Sequence, residues 1–218
     1  MSAVVEGRRP ISDVDITVGL RRAVVGGLLV AAAVILGIMI VVEVDPFDID
    51  TWWNGAVGAS SGALTQLALA LNFVGGGWFA TYLVPLGGCL ILVVFGRWRA
   101  GLFFLTASAL SAGLVQVLKS VFGRVRPEDI LVISDHGSYP SGHTANAATI
   151  AVVAVILLPR AWVAVLGGAW VFVMAFSRTQ VHAHWFSDTV GGVLAGAGAA
   201  LIVAALFTVP LLRERSLG

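Results

Sequence analysis

From Ala23 to Val42 the chain runs through twenty residues without a single charged or strongly polar side chain, directly after Arg21 and Arg22. A helix of that length rises about 30 Å, the thickness of a bilayer's hydrocarbon core. Lipid offers no partner to a backbone N–H or C=O, so such a run must bond within itself as a helix. A cleaved leader would carry a shorter apolar core and small residues before the cut. This run ends Ile40-Val41-Val42-Glu43 and reads as a retained first span. Further apolar runs follow at Trp78–Phe95, Ala100–Leu118, Gly142–Leu158, Ala161–Phe176 and Val190–Phe207. Six spans put both termini on one side of the membrane. Composition agrees: 58% of the 218 residues are hydrophobic and 11% charged, against roughly 25% charged in a soluble domain. A soluble secreted enzyme and a nucleic-acid binder are excluded. The single cysteine, Cys89, excludes a disulfide framework and a thiolate metal site.

The expected fold is therefore all-α, a polytopic bundle of six transmembrane helices with a short interfacial helix after the first span. That interfacial helix is placed between Glu43 and Gly77, where Trp52 and Trp53 follow four acids and the apolar run from Ala63 to Val74 is too short to span. Residues 1–21 form a cytoplasmic N-terminal segment, 22–210 the membrane domain and 211–218 a cytoplasmic tail. The oligomeric state is left open.

Basic residues orient the bundle. Arg8, Arg9, Arg21, Arg22, Arg97, Arg99, Arg160, Arg213 and Arg215 fall on one face, nine of the thirteen Lys and Arg residues. The positive-inside rule makes that face cytoplasmic. The other four, Lys119, Arg124, Arg126 and Arg178, share the opposite face with all four histidines. Cations and imidazoles gathered on the face that should lack positive charge point to chemistry on an anion.

Three segments converge there: Lys119 to Pro127, Tyr139 to His143, and Ser177 to Asp188. Their residue types suit phosphoryl transfer, which is mostly positioning and electrostatics. Lys119, Arg126 and Arg178 can hold phosphate oxygens, the arginines through a planar fork. Ser141 and Gly142 open a helix whose free N–H groups favour an anion. His184 and Asp188 are four apart, so one helical turn lets the carboxylate hold one ring nitrogen and expose the other as nucleophile. His143 is suited to protonate the leaving oxygen and then to activate water. No acidic cluster resembles a magnesium site, so neither metal nor cofactor is expected.

In these residues the sequence resembles the type 2 phosphatidic acid phosphatase superfamily, whose pattern is K-x6-R-P, P-S-G-H and S-R-x5-H-x3-D. All three parts occur in order, at Lys119–Pro127, Pro140–His143 and Ser177–Asp188. The resemblance implies a phosphohistidine at His184, an acid/base at His143 and phosphate binding by Lys119, Arg126, Ser141, Gly142 and Arg178. It also implies a lipid phosphatase of the bacterial plasma (inner) membrane with its site facing outside. The partners expected are the bilayer and a lipid phosphate, with no nucleic acid. Undecaprenyl diphosphate, phosphatidylglycerol phosphate and phosphatidic acid all fit that description. A phosphotransferase passing the group to a lipid or sugar hydroxyl is the alternative within the superfamily. A small transporter or scaffold is the alternative outside it, and would not need two histidines and three cations in this order. Vanadium-dependent haloperoxidases share the motif logic but are soluble.

Outside the pattern the expectations are plain. Arg124 reads as a snorkelling cation, and His182, without a carboxylate four residues on, as a lining residue. Asp135, His136 and the acids Glu43, Asp45, Asp48 and Asp50 read as solvated. Trp170 and Cys89 read as packing.

Overall fold

The structure, a computed structural model, describes residues 12–58 and 62–215. Residues 1–11 lie outside it, and with them Arg8 and Arg9. Among the described residues the chain is helical throughout its regular structure: α1 (Asp13–Glu43), α2 (Asp48–Gly58), α3 (Gly62–Gly75), a π-turn (Phe79–Leu83) running into α4 (Val84–Val94), α5 (Trp98–Phe122), α6 (Gly142–Leu157), α7 (Ala161–Gln180), α8 (Phe186–Leu206) and α9 (Thr208–Arg215).

Four of these, α1, α5, α7 and α8, are long and apolar enough to cross a bilayer, and the bent pair α2 and α3 makes a fifth if taken as one broken span. The protein is thus a multi-pass membrane protein. The runs expected around Trp78–Phe95 and Gly142–Leu158 form shorter helices. Phe79–Val94 and Gly142–Leu157 each have 16 residues or fewer in helical register, about 24 Å of rise. The segment after the first span forms two helices rather than one. α3 is drawn against α7 by polar bonds: Arg178 donates to the Asn72 side chain at 2.6 Å and to the Ala68 carbonyl at 3.1 Å, and Gln180 donates to Thr65 at 3.2 Å.

Four helix starts, those of α1, α5, α6 and α8, have a visible cause. Ser12 and Asp15 cap α1 reciprocally, at 3.2 and 3.0 Å. Ser141 caps α6 through the Thr144 N–H, and the Asp188 carboxylate reaches back to the Trp185 N–H at 2.9 Å at the start of α8. Glu214 of α9 accepts from the N–H groups of Arg99 and Ala100, at 2.7 and 3.2 Å, and so closes the first turn of α5. Arg22 donates to Thr208 at 3.0 Å. The start of α1, the turn before α5 and α9 therefore meet at one end of the bundle.

α8 is the hub. It packs against α1, α5 and α6, while α6 also packs on α7. Glycines allow these approaches: a Cβ on Gly26 would stand 2.8 Å from the Gly198 carbonyl, and one on Gly196 would overlap the Ala145 backbone. Small residues at such crossings let helix backbones approach closely in lipid. The α8–α6 crossing matters most, because it sets Asp188 beside the P-S-G-H turn, where the Ser141 N–H donates to the Asp188 carbonyl at 2.9 Å.

Candidate active site

At the end of the bundle opposite α9, the loops after α5 and α7 and the start of α6 enclose a cleft of about 790 Å³. Lys119, Arg126, Gly142, His143, Arg178 and His184 line it, with Asn72 and Gly76 from the end of α3 and Asp135 from the loop after α5. Six of the eight residues singled out from sequence thus meet in one cavity. The other two, Ser141 and Asp188, are fully buried behind its wall.

His184 sits in the turn between α7 and α8. Its Nδ1 lies 2.8 Å from the Ser138 carbonyl oxygen and 3.6 Å from Asp188 Oδ2. Because a carbonyl can only accept, Nδ1 carries the proton and Nε2 keeps its lone pair. Nε2 is 3.4 Å from Arg126 Nη1. Burial holds the His184 imidazole down to about 4, with Arg126 and Lys119 adding to the effect and Asp188 opposing it. At neutral pH the ring is an uncharged base beside two cations. Asp188 acts on it partly through Ser138, whose hydroxyl donates to Asp188 Oδ2.

The cations are held from the loop side. Gly137, at φ +74°, turns its carbonyl toward both of them, 2.7 Å from Lys119 Nζ and 2.8 Å from Arg126 Nη2. Only glycine adopts that backbone conformation readily. Arg126 Nη1 also donates to the Ala183 carbonyl at 2.5 Å. Its buried Nε has no partner among the described residues, a donor left over for an anion's oxygen. Burial lowers the Arg126 guanidinium from its ordinary value and Asp135 opposes the shift.

Asp135 corrects one expectation. Its carboxylate is not merely solvated but lies 2.8 Å from Arg126 Nη2 and 3.3 Å from Lys119 Nζ. Partial burial pushes that carboxyl up, but Lys119 and Arg126 outweigh it and leave it below the usual carboxylate range. His136 stays exposed.

His143 stands across the cleft with Nε2 3.1 Å from the Asn72 carbonyl and 3.3 Å from Arg178 Nη1. Its ring fits there because Gly76 has no Cβ, which would overlap it. Arg178 is almost wholly buried and gives three of its five N–H donors to Asn72, Ala68 and Ser177. Ser141 turns its hydroxyl into the α6 cap, accepting from Thr144 Oγ1 at 3.1 Å, so it shapes the turn rather than the lining. His182, at φ +52°, points Nδ1 at the Asp129 carboxylate.

Two further expectations are overturned. Arg124 does not snorkel: its side chain is 8% exposed and bonds Asp188 at 2.6 Å, Ser187 at 2.7 Å and Asp50 at 2.8 Å. Asp50 is not solvated: it is fully buried and also accepts from the Ser187 N–H at 2.8 Å. Among the described residues no three His, Cys, Asp or Glu side chains converge as a metal site requires.

The PAP2 superfamily pattern matches residues 100–210, which include α6, α7, α8, all but the first two residues of α5 and every one of the eight residues. The chain belongs to the PAP2 superfamily. This PAP2 protein is 31% identical over 145 residues to phosphatidylglycerophosphatase B of Bacillus subtilis, covering 62% of this chain and 64% of that one. It is 30% identical over 122 residues to lipid A 1-phosphatase of Rhizobium johnstonii, covering 50% and 48%. It thus spans between about half and two thirds of these relatives' lengths. In fold, it superposes on a transmembrane PAP2-type phosphatidylglycerolphosphate phosphatase from Bacillus subtilis with a TM-score of 0.70 at 24% identity, over 83% of this chain and 94% of that one. For LpxE of Aquifex aeolicus the TM-score is 0.62 at 24% identity, over 72% and 95%.

Proposed function

We propose that this PAP2 protein is a metal-independent lipid phosphatase that removes the terminal phosphate from a lipid phosphate or diphosphate at the outer leaflet. The observation that carries this reading is the His184 ring: Nδ1 is committed to the Ser138 carbonyl at 2.8 Å, while Nε2 keeps its lone pair in a cleft lined by Lys119 and Arg126.

The phosphate seats against Lys119, Arg126 and Arg178 and the first N–H groups of α6 at Gly142, with Ser141 holding that turn in shape. Charge spread over the equatorial oxygens is met by these donors, which supply what a metal ion otherwise would. Nε2 of His184 attacks phosphorus. The P–O bond to the lipid breaks, and His143 gives its proton to the leaving oxygen. The product alcohol, or lipid monophosphate, departs and leaves a phosphohistidine. His143, now neutral, takes a proton from water as the water oxygen attacks phosphorus. The P–N bond breaks and inorganic phosphate leaves. Asp188 carries the charge that favours the ring's positive form during both transfers.

The chain crosses the membrane six times in this reading, with α4 and α6 as its short spans, α2 near the interface, both termini cytoplasmic and the cleft outside. Undecaprenyl diphosphate, phosphatidylglycerol phosphate and phosphatidic acid are the candidate substrates. The names of the relatives favour a lipid anchor, and Phe73, Trp78, Phe79 and Tyr82 at the cleft edge suit an apolar chain.

The test is a quenched reaction of purified protein with lipid carrying labelled phosphate, in the presence of EDTA. An acid-labile, base-stable phosphoryl group on wild type that is missing from His184→Ala supports the reading. Turnover that stops with EDTA and returns with magnesium overturns it. Cysteines at Ser134 and Arg160 in a Cys89→Ser background should label from opposite sides of the membrane; labelling from one side refutes the six-span topology.

A further inference from the structure

Behind the nucleophile lies a buried charge relay that the three-part motif does not contain. Asp50 of α2 and Asp188 of α8 share one guanidinium, that of Arg124, at 2.8 and 2.6 Å. Both carboxylates are fully buried. Ser187 closes the group: its N–H and hydroxyl donate to the two oxygens of Asp50, at 2.8 and 2.7 Å. The rings of Phe47 and Trp185 flank the guanidinium at 6.0 and 5.7 Å. Arg124 holds the next link as well, because its carbonyl accepts the Ser138 N–H at 2.8 Å. Ser138 then presents its own carbonyl to His184 Nδ1 and its hydroxyl to Asp188. Arg124 therefore touches both groups that fix the imidazole, one through its side chain and one through its backbone.

We propose that Asp50 and Arg124 are positioning residues for the nucleophile, acting through Asp188 and Ser138 to hold His184 in its reactive tautomer. The proposal rests on the reading of His184 as nucleophile. An isolated buried carboxylate such as Asp188 is costly, and Arg124 compensates its charge. Asp50 in turn keeps the guanidinium from cancelling that charge: two carboxylates on one cation leave the group net negative. A net negative group behind the ring favours the positive charge that the imidazole gains as Nε2 attacks. Bonds this far from the cleft cannot touch the phosphate, so their loss must appear in the chemical step and not in binding. Asp50 also lies well before residue 100, where the superfamily match begins. The catalytic support thus reaches outside the family's common segment.

The experiment compares wild type, Asp50→Asn, Arg124→Gln, Arg124→Lys and the double variant Asp50→Asn/Arg124→Gln, full length in detergent micelles with phosphatidic acid as probe. Rapid quench reads the rate of phosphoenzyme formation, steady-state assays read KM, and vanadate inhibition reads the anion cage. Asp50→Asn and Arg124→Gln should slow phosphoenzyme formation about ten- to a hundredfold, as loss of supporting partners does elsewhere. KM and the vanadate constant should move less than about threefold. Arg124→Lys should recover part of the rate, and the double variant should be no slower than Arg124→Gln. Unchanged rates in both single variants overturn the proposal. So does a loss carried by KM and vanadate instead of the phosphoenzyme step. Asp50→Asn removes only a charge and decides the matter even if the Arg124 variants do not fold. Absence of any phosphoenzyme in wild type refutes the assignment of His184 instead, so the two failures are distinguishable.

Discussion

Nδ1 of His184 stands 0.8 Å nearer to the Ser138 carbonyl oxygen than to the Asp188 carboxylate, at 2.8 against 3.6 Å. The tautomer is thus set chiefly by a backbone oxygen, which cannot be protonated and cannot rotate away. Nε2 is the nitrogen left for chemistry, whereas His182 does not line the cleft and its Nδ1 faces the exposed Asp129 carboxylate.

The first prediction follows from that contrast. His184→Ala should lower turnover of a lipid phosphate by about four orders of magnitude or more, since the covalent path disappears. His182→Ala should keep at least about a tenth of wild-type activity. Equal loss in both, measured as phosphate release at saturating lipid, would remove His184 from the nucleophile's role.

A second prediction concerns pH. The folded His184 takes a proton only near 4, whereas an unfolded histidine does so near 6.5. Between these values the unfolded chain binds more protons, so this residue's contribution to stability rises with pH and is lost as pH falls from 6.5 toward 4. The full effect is on the order of 3 kcal/mol. The thermal midpoint of wild type should therefore drop more steeply across that window than that of His184→Gln. Parallel curves would show that the ring is not buried uncharged.

How much of this was readable beforehand varies with the physical signal. The meeting of six motif residues in one cleft was legible because their three segments fall at the same end of the spans, and the apolar runs of α1, α5, α7 and α8 because lipid demands length. Asp50 was not legible: among the acids at 43, 45, 48 and 50 nothing local marks the one whose partners lie 74 and 137 residues away. Arg124 was misread for the same reason, since snorkelling and burial against a distant carboxylate look alike in one dimension. The expected runs exceed the helix Phe79–Val94, formed by the π-turn and α4 together, by one residue at each end, and α6 by one residue at its C-terminal end.

Asp135 gives a third prediction. Its carboxylate pairs with Lys119 and Arg126, the two cations of the proposed phosphate site, yet its side chain is 55% exposed on a loop. An incoming anion has to displace it. Asp135→Asn removes the competitor and leaves one more uncompensated positive charge in the cleft. The vanadate inhibition constant and KM should both fall several-fold, with a larger change at low ionic strength because part of the attraction is screened by salt. A rise in both constants would mean that the carboxylate helps to hold the substrate.

The last prediction tests the crossing that assembles the site. α6 carries His143 and the P-S-G-H turn, α8 carries Asp188, and the two helices meet where a Cβ on Gly196 would overlap the Ala145 backbone. The obstacle is main chain, which cannot rotate aside as a side chain can, so the helices must separate. Gly196→Ala should cost about 1–3 kcal/mol of stability, the usual range for overpacking. It should also lower kcat, because separation at residue 145 disturbs the bond from the Ser141 N–H to the Asp188 carbonyl one turn away. Gly168→Ala on α7 is the matched control: nothing lies within 4 Å of its Cβ position, and alanine is the better helix former. Its thermal midpoint should stay level or rise slightly, with kcat unchanged. If Gly196→Ala matches that control in both midpoint and kcat, α6 and α8 are not in contact at this crossing, and His143 and Asp188 are brought together by some other packing.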